Sequence, residues 1–335
     1  MPTIVRFHQL WLASTVRNVS EDNQASNSED PDTPVERVDR SELLAAHLRN
    51  TAANGDQQSA RPTVMVLAFE GWNDAGGAAS TAVRTVAQAF GAELVEKLTD
   101  EEYYDFQFSR PKIARNPAGR EIVWPSTTIL HASPANGEFD LLFVHGVEPS
   151  FRWRAYTAEL LTKAAEHDVA AVVLVGALLA DVPHTRPIPA SFSSEDADIQ
   201  DLLDIEEPTY EGPVGIVGVL AHTAYQAGIP SLSLWAAVPH YVGQAPSPKA
   251  QLALMRKLEE LLGVPLDPHQ AEEISEDAAA WERGVDDLAE EDAEIADYVK
   301  RLEEATDTTN LPEASGDAIA EEFERYLRRR KPPES

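Results

Sequence analysis

The sequence predicts an α/β fold with a mixed, largely parallel sheet, and three observations carry that expectation. Residues 63–69 and 169–176 are near-continuous runs of β-branched and other apolar residues, the composition of strands buried on both faces. Strand-like and helix-like stretches alternate from Thr63 to Lys97, which is the pattern of a β-α-β unit. Segments 127–132 and 139–145 are short apolar runs joined by "SPANGE", a hairpin-like loop, so antiparallel pairs are expected as well.

From the amino terminus, Met1 to Ala13 carries one arginine and a short, interrupted apolar segment, too little for a signal sequence or a membrane span. Residues 19–36 are polar and nearly free of large apolar groups, and read as a flexible surface loop. Ser41 is expected to cap a short helix through Arg49, and a second polar stretch at 50–61 completes an amino-terminal extension, 1–61. The α/β domain then covers 62–265. After the strand at 63–69, a helix is expected over 76–90, a strand over 92–97, and short strands at 121–124, 127–132 and 139–145. A helix at 155–167 precedes the strand at 169–176. Residues 214–219 and 231–237 read as two further strands with a helix between them, the glycines at 212, 215 and 218 marking a close-packed strand. Ser247 as cap and Pro248 at the first helical position open a helix to Leu262.

The character changes at 266–305, an acidic helical arm: from Asp267 to Ala305 there are 15 acids and 3 bases. Ile274, Ala278, Trp281, Val285, Leu288, Ile295, Val299 and Leu302 nevertheless follow four-three spacing, which Asp292 alone breaks. The seam predicts one long helix, or two hinged near Gly284, lying on the domain or reaching another chain. Residues 306–335 read as a linker and a last helix whose terminal Arg328, Arg329, Arg330 and Lys331 complement the helix dipole.

Composition narrows function. A formal charge of −30, from 57 acids against 27 bases, argues against a nucleic-acid partner. The absence of cysteine removes disulfides and thiolate metal sites, and with no membrane segment expected, the address is taken as cytoplasmic. No cofactor and no metal site is implied.

The densest motif is "LAFEGWNDAGGAAS", residues 67–80, where an apolar strand breaks into a polar, glycine-bearing turn. It lacks the Lys-Ser/Thr pair of a phosphate loop and the spacing of a dinucleotide fingerprint. Asp74 is placed to cap the following helix, and its charge disfavours an anion there. If the main strands are parallel, Trp72, Asn73 and Asp74 gather at their carboxyl edge with Glu148, Arg152 and Arg154. His145, Asp181, His184, Arg186, His240 and Tyr241 fall at the same edge. Trp72, Asn73, Asp74, Glu148 and Arg152 are therefore candidate binding residues, and His145, His184, Arg186 and His240 are the catalytic candidates should the chain be an enzyme. Each also fits an ordinary structural role, and no H-E-x-x-H or G-x-S-x-G motif is present.

"FEGWNDAGGAAS", "HGVEPSFRWRAYTAELL", "DVPHTRP", "YEGPVGIVGVL" and "PSLSLWAAVPHYVGQAPSPKAQLALM", in that order, resemble the proteasome assembly chaperone 2 family in its bacterial, actinobacterial-type form. The resemblance spans about residues 62–305. It implies a three-layer α/β/α sandwich similar to the nucleoside-phosphorylase-like fold, self-assembly with a trimer favoured, and a role assisting assembly of a multi-subunit protease. Archaeal relatives that bind the proteasome end in a hydrophobic-Tyr-X tail, whereas this chain ends "RRRKPPES". Two functions are thus carried forward: an assembly-chaperone-like protein with a protein client, and an enzyme or binding protein for a small anionic or nucleoside-like ligand. A ligand-sized pocket at the strand ends would separate them.

Overall fold

The computed structural model describes residues 39–51, 61–117, 119–243 and 246–309. The expected loop at 19–36 and the basic cluster at 328–331 lie outside them.

The first described element is helix α1 (Arg40–Thr51). Strand β1 (Thr63–Glu70) leads through a 3-10 turn at Ala75–Gly77 into helix α2 (Ala78–Ala89) and strand β2 (Glu93–Leu98). A ribbon of β3 (Lys112–Asn116) and β4 (Gly119–Val123) follows, then β5 (Thr127–Ala132), β6 (Asp140–Val147) and helix α3 (Trp153–Glu166). Strands β7 (Val169–Ala180) and β8 (Ala190–Ser193) precede helices α4 (Ala197–Leu203) and α5 (Ile216–Gln226). Strand β9 (Ser231–Pro239) is followed by helices α6 (Pro248–Leu262), α7 (Pro268–Glu291) and α8 (Ala293–Thr309).

The seven-stranded sheet has the order β2-β5-β6-β1-β7-β9-β8. Its four central strands, β6, β1, β7 and β9, are parallel, while β2, β5 and β8 pair antiparallel at the margins. Alternation along β1 sends Val64, Val66 and Ala68 to one face, against α1, α2 and α6. Met65, Leu67 and Phe69 go to the other, against Tyr156 and Leu160 of α3 and Ile216, Val217 and Leu220 of α5. Burial on both faces explains the unbroken apolar runs, and the result is a three-layer α/β/α sandwich.

Four expectations are corrected. Residues 214–219 are not a strand: α5 starts at Ile216, and its buried Ile216, Val217, Leu220 and Ala224 keep a helical period that the flanking glycines disguised. Asp39 rather than Ser41 holds the first turn of α1, because its Oδ1 accepts from both the amide (2.9 Å) and the hydroxyl (2.7 Å) of Ser41. Ser247 precedes α6 as expected but makes no capping bond, its hydroxyl being buried without a partner among the described residues. The acidic arm bends at Asp292, not Gly284, which lies inside α7. Asp292 is extended (φ −127°, ψ 106°), and its Oδ1 accepts from Glu294 N at 2.9 Å, so the residue that interrupts the apolar seam also caps the next helix. Strand β3, β8 and helix α4 were not anticipated.

Gly176 in β7 faces Trp235 of β9, and a Cβ there would fall 2.4 Å from the indole ring. Gly176→Ala is expected to cost about 1–3 kcal/mol by displacing the indole; thermal unfolding and the Trp fluorescence maximum report it.

Candidate functional site

The central parallel strands all end on one edge, and the loop after β1 is its hub. Gly71 is in the positive-φ region (141°), as are Gly76 (61°) and Gly77 (63°), which lets the chain turn sharply from strand to helix. The loop's carbonyls then serve three other segments: Glu70 O accepts from Glu148 N (2.9 Å), Asn73 O from Ala177 N (2.8 Å) and Gly76 O from Ser247 N (3.0 Å). Asp74, nearly buried, turns inward: its Oδ1 accepts from the amides of Ala79 (2.8 Å) and Ser80 (3.1 Å), and its Oδ2 from the Ser80 hydroxyl (2.5 Å). Burial pushes its carboxyl above the ordinary value, and the bonds from Ser80 and Ala79 oppose that rise.

Glu148, in the loop after β6, ties this hub to α5. Its Oε1 accepts from Ile216 N (2.9 Å) at the helix start, and its Oε2 from Trp72 N (3.3 Å). Gly215 leaves the room: a Cβ there would lie 1.9 Å from Asn73 Oδ1 and 2.8 Å from Glu148 Oε1. Trp72 itself stands 60% exposed above the loop. Arg152, with positive φ (56°), opens α3 and pairs with Glu102 at the surface.

The other expected residues form a second cluster, at the ends of β7 and β9, and the arm fills it. His184 is buried between Tyr241 and Asp286, its Nδ1 2.8 Å from the phenol and its Nε2 2.9 Å from Asp286 Oδ1. The Tyr241 oxygen already accepts from His184 N (2.8 Å). One arrangement satisfies every group: the phenol donates to Nδ1, and Nε2–H donates to the carboxylate. Burial holds the Tyr241 phenol up at about 12, so it keeps the proton that this arrangement needs. Lys249 Nζ donates to His184 O (2.5 Å) and to Glu282 Oε2 (2.6 Å) of α7. Arg186 grips Asp307 of α8 through two bonds (2.8 and 2.7 Å) and Glu303 (3.1 Å). Asp181 accepts from Tyr298 OH (2.7 Å) and pairs with His240 Nδ1 (3.2 Å).

His145 stands apart from both groups. It lies on β6 opposite Ala68 and Thr128, and burial, then the Arg84 charge, lower its pKa. The expected single cleft is therefore divided: Trp72, Asn73, Asp74 and Glu148 share one loop system, His184, Arg186 and His240 clasp the arm, and His145 and Arg152 belong to neither. Between β1, β7, α3 and α5, near Met65 and Leu174, the packing leaves a cavity of about 10 Å³, the room of a single water. No group of three or more metal-ligating side chains is found among the described residues, and no helix there is long and apolar enough to cross a membrane.

Residues 68–289 match the PAC2 family. The chain belongs to the PAC2 family. A PAC2 family protein from Streptomyces avermitilis is 49% identical over 71% of this chain and 99% of its own, with a TM-score of 0.65. A Mycobacterium tuberculosis proteasome-assembly chaperone homologue is 43% identical over 70% of this chain and 99% of its own, with a TM-score of 0.63. An archaeal proteasome activator from Pyrococcus furiosus, 15% identical over 68% of this chain and 93% of its own, shares the fold with a TM-score of 0.53. No curated protein matches the chain.

The PAC2 match covers both the loop hub and most of the strand-end clasp, including the arm residues Trp281, Glu282 and Asp286. Of those arm residues only Trp281 belongs to the apolar seam, and although His184 stood out as a strand-end residue, nothing in the sequence pairs it with Asp286, or Lys249 with Glu282. The approach of Asn73 and Glu148 to Gly215 was equally hidden, because it joins residues 142 and 67 positions apart. The glycine itself was the available sign of close backbone approach.

Glu148→Ala strips two amides of their acceptor and is expected to destabilise by about 1–3 kcal/mol, with Glu148→Gln recovering roughly half; chemical denaturation measures both. For His145 the folded pKa lies below the unfolded value of about 6.5. The neutral ring is favoured in the fold, so its contribution is full above about pH 6.5 and is lost as pH falls through the folded pKa. The melting temperature of the wild type should thus decline relative to His145→Asn as pH is stepped down from about 6.5, which paired melts would show.

Proposed function

We propose that this chain is a cytoplasmic, homo-oligomeric assembly-chaperone-like protein whose client is a multi-subunit protease, with a trimer as the order of self-association. The observation that carries the reading is the occupied strand edge. His184 has both ring nitrogens engaged, Arg186 is spent on the arm, and His240 pairs with Asp181 while its ring packs on Tyr298 of the arm, so the edge offers contact surface in place of a substrate cleft. The 43% identical Mycobacterium relative, described as a proteasome-assembly chaperone homologue, supports the class of client.

Client contact is assigned to the exposed rim over the hub. Trp72 (60% exposed), Phe151 and Val214 present apolar surface there, beside the surface ion pair of Arg152 with Glu102. Asn73, Asp74 and Glu148 act beneath, holding that rim in shape. An exposed tryptophan on a rigid loop is the residue type that dominates protein interfaces.

Affinity capture of the tagged full-length chain from its native extract, with mass spectrometry of what co-purifies, tests the proposal. Protease core subunits are expected in fixed ratio to the chain, falling about tenfold with Trp72→Ala while the melting temperature stays unchanged. Recovery of the chain alone would sink the reading.

A further inference from the structure

The β3–β4 ribbon is out of keeping with the rest of the molecule. It hydrogen-bonds to no strand of the main sheet, and every residue of β4 is exposed. Directly opposed residues of an antiparallel ladder project from the same face. One face therefore carries Ile113 opposite Ile122 and Arg115 opposite Arg120, with Trp124 just beyond. Ile113 is 63% and Ile122 58% exposed. A two-stranded ribbon is marginal in water by itself, and like charges set opposite one another weaken it further. Among the described residues, no carboxylate pairs with Arg110, Arg115 or Arg120, in a chain whose net charge is −30. This face has the chemistry of one half of a contact.

The other half is at the bend of the arm. Between Tyr241 and the junction of α7 with α8 lies a groove of about 370 Å³, floored by Val242, Val285, Leu288 and Ile295 and edged by Glu291 and Asp292. Leu288 is 59% exposed although it belongs to the apolar seam. Asp287, Glu290 and Glu294 stand exposed around it, with no basic partner among the described residues. Apolar floor and acidic rim match apolar centre and basic tip.

The two halves sit at different places along one edge. The ribbon leaves the sheet between the end of β2 and the start of β5, which both lie at the carboxyl edge of β6. The groove lies beyond the ends of β7 and β9, where Tyr241 follows β9. The ribbon reaches as far as β1, where Lys112 Nζ lies 3.9 Å from Glu70 Oε2, yet Ile113, Ile122 and Leu288 all stay exposed, so ribbon and groove of one chain do not cover each other.

We infer that the ribbon of one copy docks in the α7–α8 groove of a second copy. Ile113 and Ile122 cover Leu288, and Arg115 and Arg120 meet the acidic rim. The contact is heterologous, each copy giving its ribbon to one neighbour and its groove to another, so repetition closes a ring. The inference rests on the self-association proposed above and not on the protease client.

Light scattering coupled to size exclusion of the full chain tests it. The wild type should run as one closed oligomer. Ile113→Asp with Ile122→Asp should give a monomer, and so should Leu288→Arg, each with wild-type circular dichroism. Mixing the two monomers should restore a dimer, because the pair retains one intact ribbon and one intact groove. Arg115→Glu with Arg120→Glu should dissociate the ring as well, and adding Glu290→Arg with Glu291→Arg to the same chain should restore it. A monomeric wild type, a Leu288→Arg protein that stays assembled, or native-like variants that fail to complement would each overturn the interface. A wild-type dimer or tetramer that obeys the complementation would instead remove the trimer and leave the interface standing.

Discussion

Four parallel strands that end on the same edge deliver their last backbone groups, and the starts of the helices that follow, to one small volume. Those groups must find partners, because buried and unpaired amides and carbonyls are costly. The loop at 71–77 meets that requirement. Its carbonyls take the amides of Ala177 and Ser247, Glu70 just before it takes that of Glu148, Asp74 takes those of α2, and Glu148 reaches back for Trp72 and Ile216. The positions of β7, α5 and α6 at this edge all refer to that one loop, which explains why three of its seven residues are glycines held at positive φ.

A second consequence is electrostatic. The acidic arm would repel an acidic body, yet its acids are not spread evenly against it. Asp286, Glu282, Glu303 and Asp307 meet His184, Lys249 and Arg186, while Asp287, Glu290, Glu291 and Glu294 face outward. The apolar seam supplies the packing, with Ile274, Ala278, Val285, Val299 and Leu302 buried, and the polar contacts fix where along the strand ends the helices rest.

The sandwich was readable in the sequence because burial on both faces leaves an unmistakable imprint: continuous apolar strands such as 63–69 and 169–176, separated by amphipathic helices. The hub was half readable. Asp74 advertised itself by standing before a small-residue helix, but nothing local to Glu148 or Gly215 pointed to the other. The false strand at 214–219 came from the same blindness, since a glycine that makes room for a distant carboxylate looks, in sequence, like a glycine that weakens a strand. His184 and Arg186 follow the end of β7. Reading them as facing a cleft failed because the arm that occupies it comes from a region whose helices could equally have pointed away.

The clasp also sets the order in which the chain completes itself. Its bonds from His184 and Arg186 join residues 102 to 121 positions apart, and every body-side partner precedes the arm. As the polypeptide emerges from the ribosome, the sheet and its edge can finish before α7 and α8 exist, and these long loops close last. Held by a single narrow apolar seam and by partly exposed polar contacts, the arm has less to hold it than the sheet and is the unit expected to detach first on local opening, a reversible outer shell on a body already built.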